Sequence, residues 1–221
     1  MRTALCSTTR GFRQRICTAA ASAVLFAAML SAAPASATTK GLNQIITPDI
    51  QPAGLLSVSF QCQHPAIGNG EQMQLELGVT KNFEVALFRG FSPGQFLEAA
   101  EYGIVQKPSF LLSTGVIRPF TGNRLQPFIE AGFPRGKDTF TLGAIRADGK
   151  NEALLGWAHQ ASPTLLLETD YQGGSDNFTT VGFTYSITPS LSLNPAVYVS
   201  NSTPRHAFGY AVLTWSAPVW K

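Results

Sequence analysis

From Gln72 to Thr80 the chain alternates apolar and polar side chains without a break. Met73, Leu75, Leu77 and Val79 fall on one face, and Gln72, Gln74, Glu76, Gly78 and Thr80 on the other. A period of two places successive side chains on opposite sides of an extended strand. The same texture recurs in twelve runs, at 55–62, 72–80, 83–90, 97–106, 110–117, 125–133, 139–146, 152–160, 165–172, 178–186, 191–200 and 207–215. Each is bounded by Gly, Pro, Asn, Asp or Ser, the residues that turn a chain. Ten strands is the alternative count, because 97–106 and 152–160 alternate imperfectly.

The links between runs vary in a regular way. After the even-numbered runs they are brief, at 81–82, 107–109, 134–138, 161–164 and 187–190. After the odd-numbered runs they tend to be longer, as at 64–71, 91–96, 118–124 and 201–206. Short turns at one end and longer loops at the other predict a single antiparallel up-and-down β-barrel. Strands of eight to ten residues, tilted by about 45°, are long enough to cross a bilayer core. The pattern resembles the general class of bacterial outer-membrane β-barrels, the porin-like proteins. The stretch from Phe208 to Trp215 also looks like the aromatic, alternating last strand that the assembly machinery of such barrels reads. Here the chain departs from that pattern by continuing through Ser216 and Pro218 to Lys221. The resemblance implies an outer-membrane lipid bilayer, the barrel-assembly machinery and small ions or solutes as partners. It names no narrower family.

Residues 1–37 read as a cleavable export signal. Arg2, Arg10, Arg13 and Arg15 precede an Ala-rich apolar run, and Ala35-Ser36-Ala37 supplies small residues before Thr38. Residues 38–52 read as an N-terminal leader segment without clear period, and 53–221 as the barrel. The formal charge of +3 then overstates the basic character, since four of the 16 basic residues and none of the 13 acids lie in the signal. No basic footprint for nucleic acid survives. Cys6 and Cys17 leave with the signal, so Cys62 remains alone, without a disulfide and as a small packing residue.

Alternation alone does not say which face meets lipid. The acids decide the reading: Glu76, Glu84, Glu101, Glu130, Glu168 and Asp170 lie inside runs, beside small neighbours such as Gly78, Ala86, Ala99, Gly103 and Gly132. Small residues beside acids suit a crowded, water-accessible lumen, and these six are the expected lumen-lining residues. Leu77, Val181, Phe183, Tyr185, Leu193 and Val197 then face lipid. Only Arg89, Arg118 and Arg146 could oppose the acids, and all three fall at strand ends beside the longer loops.

Catalytic patterns are weak. His159 precedes Ser162 by an odd spacing that puts them on opposite strand faces. Asp148, Asp176 and His206 share one end of the barrel but sit in loops, where Asp is usually a turn former. No catalytic residue, cofactor or metal is expected. The function expected is a narrow porin-like channel for small polar solutes or cations. Two alternatives stay open: a structural or adhesive surface barrel with a plugged lumen, and a soluble, periplasmic or secreted β-barrel that binds a small apolar ligand. Oligomeric state is not legible in the sequence.

Overall fold

A computed structural model describes residues 40–91, 94–118 and 124–220. The expected export signal lies outside the described residues. Twelve strands are present: β1 (Leu55–Gln63), β2 (Glu71–Thr80), β3 (Phe83–Phe91), β4 (Gly94–Lys107), β5 (Phe110–Ile117), β6 (Gln126–Arg135), β7 (Asp138–Ala147), β8 (Lys150–Ser162), β9 (Leu165–Gln172), β10 (Phe178–Thr188), β11 (Leu191–Ser200) and β12 (Ala207–Pro218). Each pairs antiparallel with its sequence neighbours, and β1 pairs with β12 to close the sheet into a barrel. The closing register runs from Leu55 opposite Pro218 to Gln63 opposite Tyr210. Ser216, Ala217 and Pro218 are therefore part of the seam. With strands about 4.8 Å apart and tilted by about 40°, twelve of them enclose a cylinder of roughly 12 Å backbone radius.

The brief links are two-residue turns throughout: Lys81-Asn82, Pro108-Ser109, Gly136-Lys137, Pro163-Thr164 and Pro189-Ser190. They define the turn end, and both β1 and β12 begin or finish there. Not every connection at the opposite, loop end is long. Strands β7 and β8 continue the ladder to Ala147 and Lys150 and reverse through Asp148-Gly149, whose φ angles are 48° and 87°. Two consecutive positive φ values are what a tight hairpin turn needs, and Asp-Gly supplies them at low strain. The loop expected at 91–96 is also shorter, because β3 extends to Phe91 and β4 starts at Gly94.

The two faces differ in chemistry as the alternation predicts. Outward residues are large and apolar, with Val181 59%, Leu142 54% and Ile129 50% exposed. Phe60, Phe91 and Phe96 gather near the loop end, while Tyr102, Phe140, Trp157 and Tyr185 lie towards the turn end. An apolar belt between two aromatic rims is the surface of a barrel that crosses a bilayer. The interior is the reverse, built largely from Glu, Ser, Thr, Asn and Gln. A soluble barrel holding an apolar ligand would carry the opposite polarity. The seam itself is zipped on its inner side by hydroxyl pairs, Ser57 to Ser216 and Ser59 to Thr214, each 2.9 Å apart. Cys62, expected to pack, is exposed at the loop end of β1; the alternation of that strand points it outward with Phe60.

Because Leu77 and Leu193 face lipid and Gln74 lines the interior, Arg substitutions there should differ sharply. Leu77→Arg or Leu193→Arg should cost about 2–4 kcal/mol near the bilayer midplane, and Gln74→Arg much less. Equilibrium folding into lipid vesicles in urea measures the three, and equal tolerance at all three would contradict the assignment of faces.

Candidate functional site: the lumen and the segment inside it

All six acids expected to line the lumen sit on inward-facing positions and are almost completely buried, from Glu130 at 1% to Glu76 at 5% exposed. Burial that deep inside a wide barrel requires something to cover them. The cover is residues 40–53, which take in the described part of the leader expected at 38–52. From β1 this segment runs into the lumen at the turn end, turns around Asn43–Ile46, and returns to Lys40. The turn is held by Leu42 N–H to the Ile45 carbonyl at 3.0 Å and by Gly41 N–H to Thr47 Oγ1 at 3.1 Å.

The wall grips the backbone of this plug on several strands. Gln44 N–H donates to Asp170 at 3.0 Å, and Gln51 N–H donates to Glu84 at 2.6 Å. Gln106 accepts from Ile50 N–H and donates to the Pro48 carbonyl. The Tyr198 hydroxyl donates to the Asn43 carbonyl. At the base of the plug, Gln51 Nε2 donates to the carbonyls of Leu55 and Glu76, and its Oε1 accepts from Ser57. Ile45 supplies the apolar anchor among Phe128, Ile145 and Leu154. Burying an isoleucine side chain contributes roughly 1.5–3 kcal/mol.

The small residues beside the acids have a steric purpose. A Cβ on Gly78 would lie 2.2 Å from the Pro52 carbonyl oxygen, and one on Gly156 would lie 2.4 Å from Leu42 Cδ1. Gly103, Gly132 and Gly182 receive Ile50, Pro48 and Asn43 in the same way. Inward glycines on β2, β4, β6, β8 and β10 thus form a belt onto which the plug packs.

Charge is distributed just as unevenly. The ammonium of Lys40 is bonded to Glu84 and to Glu101, and the three side chains are 4–6% exposed. Glu76 interacts with Gln74, and Glu168 accepts from Thr184 at 3.1 Å and from Asn194 at 2.7 Å. Both carboxyl oxygens of Glu130 lack a hydrogen-bond partner. Arg89 and Arg146, candidates to oppose these acids, are exposed, and their strand positions face outward. Arg118 donates its backbone N–H to the Glu98 carbonyl. Among the described residues no ion pair joins any of these arginines to an acid. The cation that does the pairing, Lys40, carries no periodic signal in the sequence. Removing it would leave buried carboxylates uncompensated, a loss that typically costs about 3–5 kcal/mol.

The tip of the plug reaches the loop-end half, where Gln44 meets Gln172 and Asn43 meets Thr180 and Tyr198, but it does not fill that half. A cavity of about 400 Å³ opens there, walled by Gln61, Gln63, Gln72, Gln126, Phe178 and Tyr210 among others. Its floor is plug residues 42–46, and it reaches down the β2–β4 side to Lys40, Glu76, Glu84 and Glu101.

The fold recurs among solved barrels. A structure of the NanC porin matches with a TM-score of 0.50 at 8% identity, covering 73% of this chain and 98% of that one. The KdgM porin matches with a TM-score of 0.54 at 12% identity over the same shares, and so does its complex with disordered oligogalacturonate, at 11%. The shared property is the fold. No family model matches the sequence, and no curated protein matches it.

The remaining candidates for chemistry are not brought together. His159 pairs with Asp138 at 2.9 Å, and Trp157 Nε1 donates to the same carboxylate. That group lies on the outer face at the turn end, where a Trp–His–Asp cluster suits the membrane–water interface. Ser162 Oγ instead accepts from the Thr164 backbone. His206 lies beside Phe208, and Asp176 accepts from Ser175, so neither contacts the other.

The glycine belt predicts how to evict the plug. Gly78→Val should push Gln51 and Pro52 away from β2 and expose Lys40. Limited trypsin digestion of vesicle-embedded protein should then cut after Lys40 in the variant and not in the parent. Protection in both would show that the belt does not control the seat of the plug.

Proposed function

We propose that the protein is an outer-membrane, porin-like barrel that passes small polar solutes and prefers cations to anions. The observation that carries this reading is the charge inside: Glu76, Glu84 and Glu101 line the cavity open at the loop end, and Glu130, Glu168 and Asp170 are buried on other inward positions of the wall. The cations among the described lining residues are Lys40, already paired with Glu84 and Glu101, and Arg118. Acid rings in a narrow pore favour cations. The apolar belt and aromatic rims support placement in a bilayer. A β-barrel of this kind, preceded by an export signal at 1–37, belongs in an outer membrane and relies on barrel-assembly machinery to enter it.

The likeness to the KdgM porin supports solute passage but not the same cargo. Oligogalacturonate is a polyanion, and a lumen with a surplus of carboxylates repels one. Cations and uncharged polar molecules suit this interior better.

A second reading has its own observation. Residues 40–53 fill the turn-end half of the lumen and reach into the loop-end half, as they would in a structural or adhesive barrel whose interior is permanently closed. Planar-bilayer recording separates the two. The channel reading expects a small conductance whose reversal potential in a potassium chloride gradient has the sign of cation flow. Changing Glu101 and Glu130 together to Gln should move that potential towards zero. An anion preference would refute the role given to the acids, and silence under all conditions would favour the structural barrel.

A further inference from the structure

The seat of Lys40 has the form of an occupied ion site. A primary ammonium sits between two carboxylates, Glu84 and Glu101, delivered from two adjacent strands whose register places them directly opposite each other. Beside it, oxygens are left over: Glu101 Oε1 and both oxygens of Glu130 are buried without a partner. Glu130 is 1% exposed and lies within electrostatic range of Lys40. Among the described residues no group of three or more acids, histidines or cysteines is arranged to hold a metal ion. The site therefore suits a singly charged, hydrogen-bonding cation rather than a chelated divalent one. Access also exists, since the loop-end cavity reaches Lys40, Glu84 and Glu101.

The occupant is tethered, and the tether is not built into the barrel ladder. Residues 40–53 contain no strand or helix. They are held by hydrogen bonds from several strands, by Ile45 and by their fit against the glycine belt, contacts that all have to open together for the plug to leave. A short flexible tether presents its end group at an effective concentration of about millimolar. A free cation at comparable or higher concentration competes with it for the same carboxylates.

We propose that Glu84 and Glu101 form a binding site for a permeating ammonium-type monovalent cation, and that Lys40 is its tethered occupant, so that the plug leaves in competition with the ion that passes. This inference rests on the channel reading and adds regulation of the same lumen by its own cargo. Filling the site from solution keeps both carboxylates paired when Lys40 leaves. The plug can then move without stranding buried charge. An anion or a neutral solute has no such effect.

The test uses the full chain in planar bilayers, with ammonium chloride as the probe. In the parent protein, conductance should rise more steeply than in proportion to ammonium concentration, because the ion both carries current and releases the plug. Lys40→Gln removes the tethered charge. It should conduct several-fold more at low salt, stay cation-selective and respond in simple proportion. Glu84→Gln combined with Glu101→Gln should also free the plug yet lose most of the cation preference. A disulfide provides an independent arm. Asn43 Nδ2 lies 3.0 Å from Thr180 Oγ1, so Asn43→Cys with Thr180→Cys, in a Cys62→Ser background, should lock the plug. The oxidised protein should lose the steep ammonium dependence and regain it on reduction. Parent-like conductance and concentration dependence in Lys40→Gln would overturn the proposal, as would equal currents from oxidised and reduced protein. Either result leaves the channel reading standing. Silence from every variant, oxidised and reduced, would overturn the channel reading and this inference with it.

Discussion

Closure of the sheet on itself is the constraint from which the other features of this molecule follow. In a bilayer no water is available to satisfy backbone N–H and C=O groups, so a sheet can cross only if it has no free edge. Pairing of β1 with β12 removes that edge. The strict two-residue period then assigns every side chain to one of two surroundings, lipid outside or lumen inside. A shift of one residue in any strand would carry Leu and Val into the lumen and Glu into lipid. The hydroxyl pairs along the inside of the seam show how the last pairing is made specific without apolar packing.

A closed barrel of twelve strands creates a second problem. Its interior is too wide for inward side chains to fill completely and too polar to be left dry. Residues 40–53 meet that demand from the turn end to past the middle of the lumen, with backbone groups for the wall carboxylates and carboxamides and a lysine for the facing pair Glu84 and Glu101. Water occupying the same space would satisfy those groups as well, which makes the plug exchangeable in principle. The apolar anchor at Ile45 and the close fit against the glycine belt favour the plug over water. The balance between these terms, rather than the barrel, sets whether the lumen is passable.

The parts legible from sequence and the parts that were not divide along one physical line. Period-two alternation survives in the sequence because each strand residue answers to a local rule. Leu77, Val181 and Leu193 could thus be read as lipid-facing, and Glu76, Glu101 and Glu168 as inward. Turn lengths were legible for the same reason, except at 91–96, where the ladder runs on to Phe91 and Gly94, and where Asp148-Gly149 closes a hairpin that its flanking residues had disguised as a loop. The partners of the inward acids were not legible. Arg89, Arg118 and Arg146 were the visible cations, but two of them follow the parity of their strands and point away from the lumen. Lys40 sits in a segment with no period at all, and its meeting with Glu84 and Glu101 spans 44 and 61 residues of chain. One trace of the plug was present: Gly78, Gly103 and Gly132 recur on the faces that carry the acids, and a glycine there leaves room for something else to pack.

The sequence by itself determined the strands, their order and the division of each into two faces, because alternation and turn chemistry act between residues close together in the chain. Only the tertiary structure decided what occupies the interior. An irregular segment carries no repeat that could announce its destination. Its place is set by shape and charge on strands that come together only when the barrel has closed.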